Sequence, residues 1–564
     1  MPKSDIDHAI AAARDRLNIG QTLPKEGLET FAALFHHART HFADRPAYRC
    51  LGHHLSFAEL DRHSDHLAAY LQSLDFLQPG DRIALQLPNL LQWPVAAMAI
   101  LKVGLILVNT NPLYTAPELA HQLKDSGAKL VITLTSLAGP LQQIIAQTAV
   151  QQVILTAPAD LHPPPKRPLI NALFTLKTRP PRLHFPNAIR YRQALTQGAK
   201  QGAKHPLKPP PTTPDATALL QYTGGTTGRS KGVILTHRAL MACMQQTAWV
   251  YAKVDWTASH PRMAVPLPLY HIYAFSVAFT HALYCGHESL LIPNPRDIKV
   301  FIRQLRQQPC TGLIGLNTLF NALMQHPDFP RLDFSRTKLT ISGGMALSKS
   351  IAERWQAITG TQICEGYGLT ECAGIMSVND PQSPTLGTVG CIFPATAVKI
   401  KDPDGHELGI DDPGELYFTG PTKMTGFWQQ PNALDDLLDK DGYMRTGDIA
   451  TVGKDGLLRI IDRTKDMIIV SGFNVYPNEV EDVALAHPAV QECAAIAGQD
   501  ENGEYLRLFV VPGPTPPSEA ELRAHCRQHL TGYKVPRTVT FIEEMPKTPV
   551  GKPLRRTLRE TYPA

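Results

Sequence analysis

Along the first third of the chain, short apolar runs alternate with segments whose apolar residues recur every three or four positions. Ser56-Phe57-Ala58-Glu59 has the form of a helix capping box, and Leu60, Leu67, Leu71 and Leu74 follow on one helical face. Pro79-Gly80-Asp81 marks a turn, after which Ile83-Ala84-Leu85-Gln86-Leu87 reads as a strand. A helical stretch from Val95 to Leu101 ends near Gly104, and Leu105 to Val108 reads as the next strand. Glu118 to Lys124 is helical in pattern, Gly127 stops it, and Leu130 to Thr133 is again strand-like. Repeated alternation of this kind predicts an α/β domain built on largely parallel sheets.

The texture changes twice further on. From Leu386 to Ile461 the strands are short, and Asp404-Gly405, Pro413-Gly414, Asp441-Gly442 and Asp455-Gly456 mark frequent turns, which predicts a β-rich subdomain. Beyond Asp462-Arg463-Thr464-Lys465 helix and strand patterns alternate again: Asn478 to Leu485 and Ser518 to His529 read as helices, Ala494 to Ile496 and Leu506 to Val511 as strands. The expected organisation is a large N-terminal domain, 1–464, containing the β-rich subdomain at about 386–461, and a small α+β C-terminal domain, 465–564.

With 564 residues the chain is too long for one compact core. A net charge of +5 is mild at this size and does not argue for nucleic acid as a partner. Nine scattered cysteines with no C-x-x-C pair suit small buried thiols in a reducing cytoplasm. The N-terminal stretch lacks a signal-type apolar core, and no uncharged apolar run is long enough to span a bilayer, so any membrane contact is expected to be peripheral. One segment changes that picture. Between Leu161 and Pro214 there are ten Lys and Arg and no Asp or Glu, around an apolar run from Leu169 to Leu176. It reads either as a solvated surface excursion or as a patch for the anionic inner face of a membrane. A homodimer is left open.

The segment richest in chemistry is Tyr222-Thr223-Gly224-Gly225-Thr226-Thr227-Gly228-Arg229-Ser230-Lys231-Gly232. Glycines let backbone N–H groups converge on phosphate oxygens, hydroxyls donate or ligate a metal, and a lysine adds charge. It is not a Walker A loop, because Arg229 and Ser230 separate Gly228 from Lys231. From these residue types alone, a phosphate cradle and a structural turn both remain open.

The segment resembles the phosphate loop of the adenylate-forming superfamily, which comprises acyl-CoA synthetases, luciferases and peptide-synthetase adenylation domains. Five further segments resemble its motifs in the same order: Ser342-Gly343-Gly344, Glu365-Gly366-Tyr367-Gly368-Leu369-Thr370-Glu371, Thr446-Gly447-Asp448, Asp462-Arg463-Thr464-Lys465-Asp466, and Pro546-Lys547-Thr548 through Gly551-Lys552. Pro268-Leu269-Tyr270-His271, Leu316 to Phe320, Val470 to Glu479 and Leu530 to Pro536 are similar to bacterial long-chain fatty-acid–CoA ligases, so the resemblance spans nearly the whole chain.

The resemblance implies an enzyme that uses ATP and Mg2+ to convert a fatty acid to its adenylate and then to a coenzyme A thioester. It places Thr226 and Glu371 at the metal and Thr223, Gly224, Gly225, Thr226, Thr227, Gly228 and Lys231 around the β,γ-phosphates. Gly343, Gly344, Glu365, Gly366, Tyr367, Gly368 and Thr370 fall at the adenine side, Asp448 at the ribose hydroxyls and Arg463 near the nucleotide. Lys552 is implied to bridge acyl carboxylate and α-phosphate. Lys465 is implied as the hinge of a mobile C-terminal domain whose swing withdraws Lys552 and brings the segment around Gly472 to the acyl site. His271 and Phe275, with Val277 and Phe279, are candidates for the acyl site, although a core strand would have the same pattern.

Tyr443-Met444-Arg445, Phe275, Ala346 and Gly374 depart from the pattern of fatty-acid ligases. They leave catalytic groups in place but open the question of chain length. The competing readings are a medium-chain, aryl or carrier-loading adenylating ligase, and a non-catalytic acyl-ligand binding protein.

Overall fold

The computed structural model describes residues 4–23, 27–179, 183–223, 229–254, 256, 261–470, 473–500, 503–548 and 551–563. One sheet runs from edge to edge through Gly426–Phe427, Lys231–Thr236, Thr217–Thr223, Ile106–Asn109, Arg82–Gln86, Leu130–Leu134, Gln152–Thr156 and Ala188–Arg190. It is parallel from Thr217–Thr223 to the Ala188–Arg190 edge and antiparallel where Lys231–Thr236 turns back on Thr217–Thr223. The parallel strands are buried on both faces: Leu130–Leu134 has no exposed position, as expected of strands covered by helices on either side. A second sheet carries parallel strands Ile363–Tyr367, Leu339–Gly343, Gly312–Gly315, Arg262–Val265, Glu288–Leu291 and Pro46–Cys50, with antiparallel strands at its ends.

The local signals translate directly into these elements. Ser56 and Glu59 form both bonds of a capping box at the start of helix Phe57–Gln72, which buries Leu60, Leu67 and Leu71. Helices Gln92–Lys102 and Ala116–Ser126 lie where the periodicity puts them. Gly127 closes the second of these in the left-handed region at φ 61°.

A four-stranded antiparallel sheet, Ala397–Lys401, Gly414–Thr419, Met444–Val452 and Leu458–Arg463, accounts for the turn-rich stretch. Past it come the hairpin Ile468–Val470 with Phe473–Val475 and a three-stranded sheet, Val490–Asp500, Gly503–Pro512 and Thr538–Phe541. Helices Pro477–Leu485 and Glu519–His529 pack on that sheet around Val480, Leu508 and Leu522. The fold is thus mixed α/β with parallel-rich sheets and a C-terminal β/α region.

Two segments differ from their simplest reading. The basic excursion contains two helices, Lys166–Thr178 and Tyr191–Lys204, with strand Ala188–Arg190 between them. The apolar residues after His271 are helical, not a core strand. Ile272–Ala274 passes through a π turn at Phe275–Phe279 into Thr280–Cys285, and a widened turn of this kind is frequent beside functional sites.

Candidate active site

In parallel sheets ligands gather beyond the carboxyl ends of the strands. Tyr367 ends strand Ile363–Tyr367, and its hydroxyl donates to Asp448 Oδ2 at 2.5 Å. Arg463 Nε lies 3.1 Å from the other oxygen of Asp448. Asp448 and Arg463 are cross-strand partners, so the antiparallel sheet fixes their approach. The Asp448 side chain is 5% exposed and that of Arg463 48%; a carboxylate at the bottom of the cleft therefore carries a guanidinium at its mouth. Burial, followed by the neighbouring Asp448 carboxylate, pushes the Tyr367 phenol far above its ordinary range, so the hydroxyl remains a donor.

Lys552 reaches this cleft from the C-terminal region. Its Nζ would lie 3.7 Å from a Cβ built on Gly344, whose φ of 84° places the backbone in the left-handed region. The turn that carries it is closed by Thr548 N donating to Lys552 O at 2.8 Å and is tied to helix Asn317–Gln325 by Thr318 Oγ1 donating to Gly551 O at 3.2 Å. Burial, followed by Arg463, pulls the Lys552 ammonium down to about 8. No carboxylate of the described residues lies within ion-pair distance of it. A recessed cation with no direct ion pair suits an anionic ligand.

His271 is held neutral: burial, and then Lys552, lower its imidazole to about 3. Tyr273 N donates to its Nδ1 at 3.3 Å, leaving Nε2 as the N–H donor of the neutral ring. Tyr273 lies against the cleft floor; a Cβ on Gly343 would meet its ring at 3.1 Å. Only its place two residues after His271 could have singled it out in the sequence. Phe275 is enclosed by Phe31, Trp93 and Phe279, with ring centroids 5.9, 6.0 and 5.2 Å away, so its ring belongs to an aromatic core.

Glu365 is buried and accepts from Leu347 N at 2.9 Å. Burial raises its carboxyl to about 8, so near neutral pH the acid form predominates and braces the turn after Gly344. A Cβ on Gly366 would meet Ile375 Cδ1 at 2.8 Å, and one on Gly368 would collide with Gly374 O and Ile375 Cα; both glycines permit close packing below Tyr367. Thr370 opens the turn Thr370–Cys372, which carries half-buried Glu371. Burial raises the Glu371 carboxyl, opposed first by its own backbone N–H and then by Arg463, and among the described residues it forms no ion pair. A recessed carboxyl group held only by its own backbone N–H and not by an ion pair can supply an oxygen ligand to a hard divalent cation.

Thr223 and Lys231 are paired at the ends of the two strands on either side of residues 224–228, and Lys231 Nζ sits 5.0 Å over the Phe427 ring. Gly224, Gly225, Thr226, Thr227 and Gly228, together with Gly472, lie outside the described residues. Lys465 is exposed, in the turn closed by Asp466 N donating to Arg463 O at 3.0 Å.

Residues 34–428 match the model of the AMP-binding enzyme family, and residues 479–552 match that of the AMP-binding enzyme C-terminal domain. The chain belongs to the AMP-binding enzyme family. It is 45% identical over 538 residues to a long-chain-fatty-acid–CoA ligase of Salmonella typhimurium, covering 94% of each chain. It is 44% identical over 530 residues to the enzyme of the same name from Yersinia pestis, covering 93% of each. Among solved structures, a benzoate CoA ligase from Burkholderia xenovorans superposes with a TM-score of 0.79 at 25% identity, covering 94% of this chain and 99% of that one.

Proposed function

We propose that the protein joins a long-chain fatty acid to coenzyme A by way of an acyl-adenylate. The observation that carries this reading is the placement of Lys552, Asp448, Arg463 and Tyr367 at the carboxyl ends of two neighbouring parallel strands, within a chain of this family. Asp448 accepts the ribose hydroxyls, Tyr367 lies against adenine, and Lys552 sits between the acyl carboxylate and the α-phosphate. A carboxylate oxygen attacks the α-phosphorus and the bond to the β,γ-phosphates breaks, releasing pyrophosphate. Both reactants are anionic, so the fixed cation supplies the electrostatic part of catalysis. Glu371, with Thr226, would hold Mg2+, whose charge offsets that of the phosphates. In the second step the coenzyme A thiolate attacks the acyl carbon, and AMP leaves with the anhydride oxygen.

The domain division at Lys465 belongs to this reading. The contacts around Lys552 suit the adenylation step, and a swing about Lys465 would bring the segment around Gly472 to the acyl carbon. The decisive assay is purified protein with ATP, Mg2+ and oleate, with and without coenzyme A. AMP and oleoyl-CoA are expected together. Adenylate without thioester would instead identify a carrier-loading enzyme, and turnover of benzoate or octanoate in place of oleate would move the substrate to the aryl or medium-chain class.

A second observation favours peripheral contact with the anionic inner face of the cytoplasmic membrane. Helix Lys166–Thr178 buries none of its residues fully. Asn171, bonded to Ala159 N and Asp160, and Phe174, packed on the core, fix its inner side. Leu169, Leu173 and Leu176 are 62%, 58% and 73% exposed, and at 3.6 residues per turn they share a sector of roughly 60° with Lys166 and Lys177 along one border. Each leucine gains about 1.5–3 kcal/mol on full burial, and each nearby cation about 1 kcal/mol at an anionic surface. Among the described residues no helix is long and apolar enough to cross a membrane. Binding to phosphatidylglycerol vesicles is expected, with loss in the Leu169→Ser, Leu173→Ser, Leu176→Ser variant; equal binding to neutral phosphatidylcholine, or no loss in the variant, would sink the idea.

A further inference from the structure

One helix grips both strands that carry the phosphate loop. Tyr222 lies next to the end of strand Thr217–Thr223, and Ser230 directly precedes strand Lys231–Thr236. From helix Ala116–Ser126, His121 Nε2 lies 2.8 Å from Ser230 O. One turn later, on the same face, Asp125 Oδ2 accepts from the Tyr222 hydroxyl at 2.5 Å. Tyr222 faces Gly232 across the strand pair, and a Cβ on Gly232 would meet the tyrosine ring at 3.0 Å; glycine there lets the ring lie flat across the partner strand and reach the helix. The far side is closed by Trp428 N donating to Gly232 O at 2.7 Å and by Gln429 Nε2 donating to Asp125 O at 2.8 Å.

We propose that His121 and Asp125 are positioning residues for ATP: they fix the separation and tilt of the two strand ends, Tyr222–Thr223 and Ser230–Lys231, so that Thr223 and Lys231 meet the triphosphate in register. The inference rests on the ligase reading. The Tyr222 hydroxyl is buried and stays protonated, because burial and the Asp125 carboxylate raise it far above its ordinary range; it is a permanent donor to a charged acceptor, the stronger class of hydrogen bond. The same helix is tied to the acyl side. Gln122 donates to Asn109 O, Asn109 to Gln221 Oε1, and Gln221 to Tyr270 O beside His271. A register held at both ends by one rigid helix limits the positional freedom of the strand ends that carry Thr223 and Lys231, and rates depend steeply on such placement.

The test is the two half-reactions of the full-length protein, measured separately for Asp125→Ala, Asp125→Asn, Tyr222→Phe and His121→Ala. Removing this charge-assisted bond is expected to raise the KM for ATP in adenylation roughly tenfold. Conversion of supplied oleoyl-adenylate by coenzyme A is expected to stay within about twofold of wild type, and Asp125→Asn, which keeps an acceptor, to recover most of the ATP affinity. Tyr222→Phe removes one hydroxyl and guards against a misfolded alanine variant. Equal losses in both half-reactions, or a lowered melting temperature with an unchanged KM for ATP, would reduce the pair to a structural brace. A wild-type protein that consumes no ATP would instead overturn the ligase reading as well.

Discussion

Replacing Lys552 by alanine is expected to slow acyl-adenylate formation by roughly 10²–10³-fold while conversion of supplied oleoyl-adenylate by coenzyme A continues near the wild-type rate. The first half follows from charge. Lys552 is recessed beside Gly344 and forms no ion pair among the described residues, the Asp448 carboxylate acting on it only at longer range, so its ammonium is available for the anions that must meet in the first step. The second half follows from the proposed swing, which takes Lys552 away before the thiolate attacks. Acidity provides an independent readout. Because burial lowers this ammonium to about 8, its charged form is complete well below that pH and is lost as pH rises through it. The kcat/KM for adenylation, which reports the free enzyme, is expected to fall above about pH 8, whereas the residual activity of Lys552→Arg, always charged, should not. Equal loss of both half-reactions in Lys552→Ala would make the residue a general structural contact.

The remaining groups of the cleft divide by environment. His271 is held neutral at about 3 and Glu365 predominantly neutral below about 8, so neither adds a full charge near neutral pH; they shape and donate. Asp448, at the bottom of the cleft, is held by Arg463 on one oxygen and by the Tyr367 hydroxyl on the other. Arg463 is thus tied to Asp448, and Lys552, which forms no ion pair among the described residues, is the cation left for an anionic substrate in the proposed reaction.

Much of this was legible in the sequence, for reasons that differ by element. The capping boxes at Ser56 and Ser518 are local, three-residue interactions, so four letters specify them. The parallel strands are continuous apolar runs because helices cover both faces. The glycine motifs could be placed by resemblance, but their physical reason could not: Gly343 admits the ring of Tyr273 and Gly368 the backbone of Gly374, and both neighbours come from other elements. The joining of Tyr367 to Asp448, 81 positions apart, is likewise tertiary. Phe275, Val277 and Phe279 show a strand-like period of two, but they occupy a π turn whose shape depends on the aromatic core around Phe31 and Trp93. The helix Lys166–Thr178 was hidden by the prolines around it and by an apolar stripe that covers no core of its own.

Bridging the two regions in their present arrangement is expected to leave adenylation intact and to stop thioester formation. Gln491 Nε2 donates to Gln325 Oε1 at 3.0 Å across the junction, and Asn321 Nδ2 donates to Gln491 O at 2.8 Å. Gln325 is exposed and Gln491 half-buried, whereas eight of the nine cysteines are buried and burial raises the half-buried Cys285 thiol to about 12, so a Gln325→Cys, Gln491→Cys pair offers a short bis-maleimide the more reactive thiols. With the bridge closed, Thr318 keeps Gly551, and with it Lys552, at the cleft; ATP and oleate should yield one equivalent of bound oleoyl-adenylate and pyrophosphate. The segment around Gly472 cannot then reach the acyl carbon, and oleoyl-CoA should fall to background, returning when a cleavable linker is cut. Unchanged oleoyl-CoA formation by the bridged protein would mean that both steps run in one arrangement, and Lys465 would lose its role as a hinge. Loss of adenylation on bridging would show instead that the first step needs motion at this junction, and that the contacts around Lys552 precede the reactive geometry.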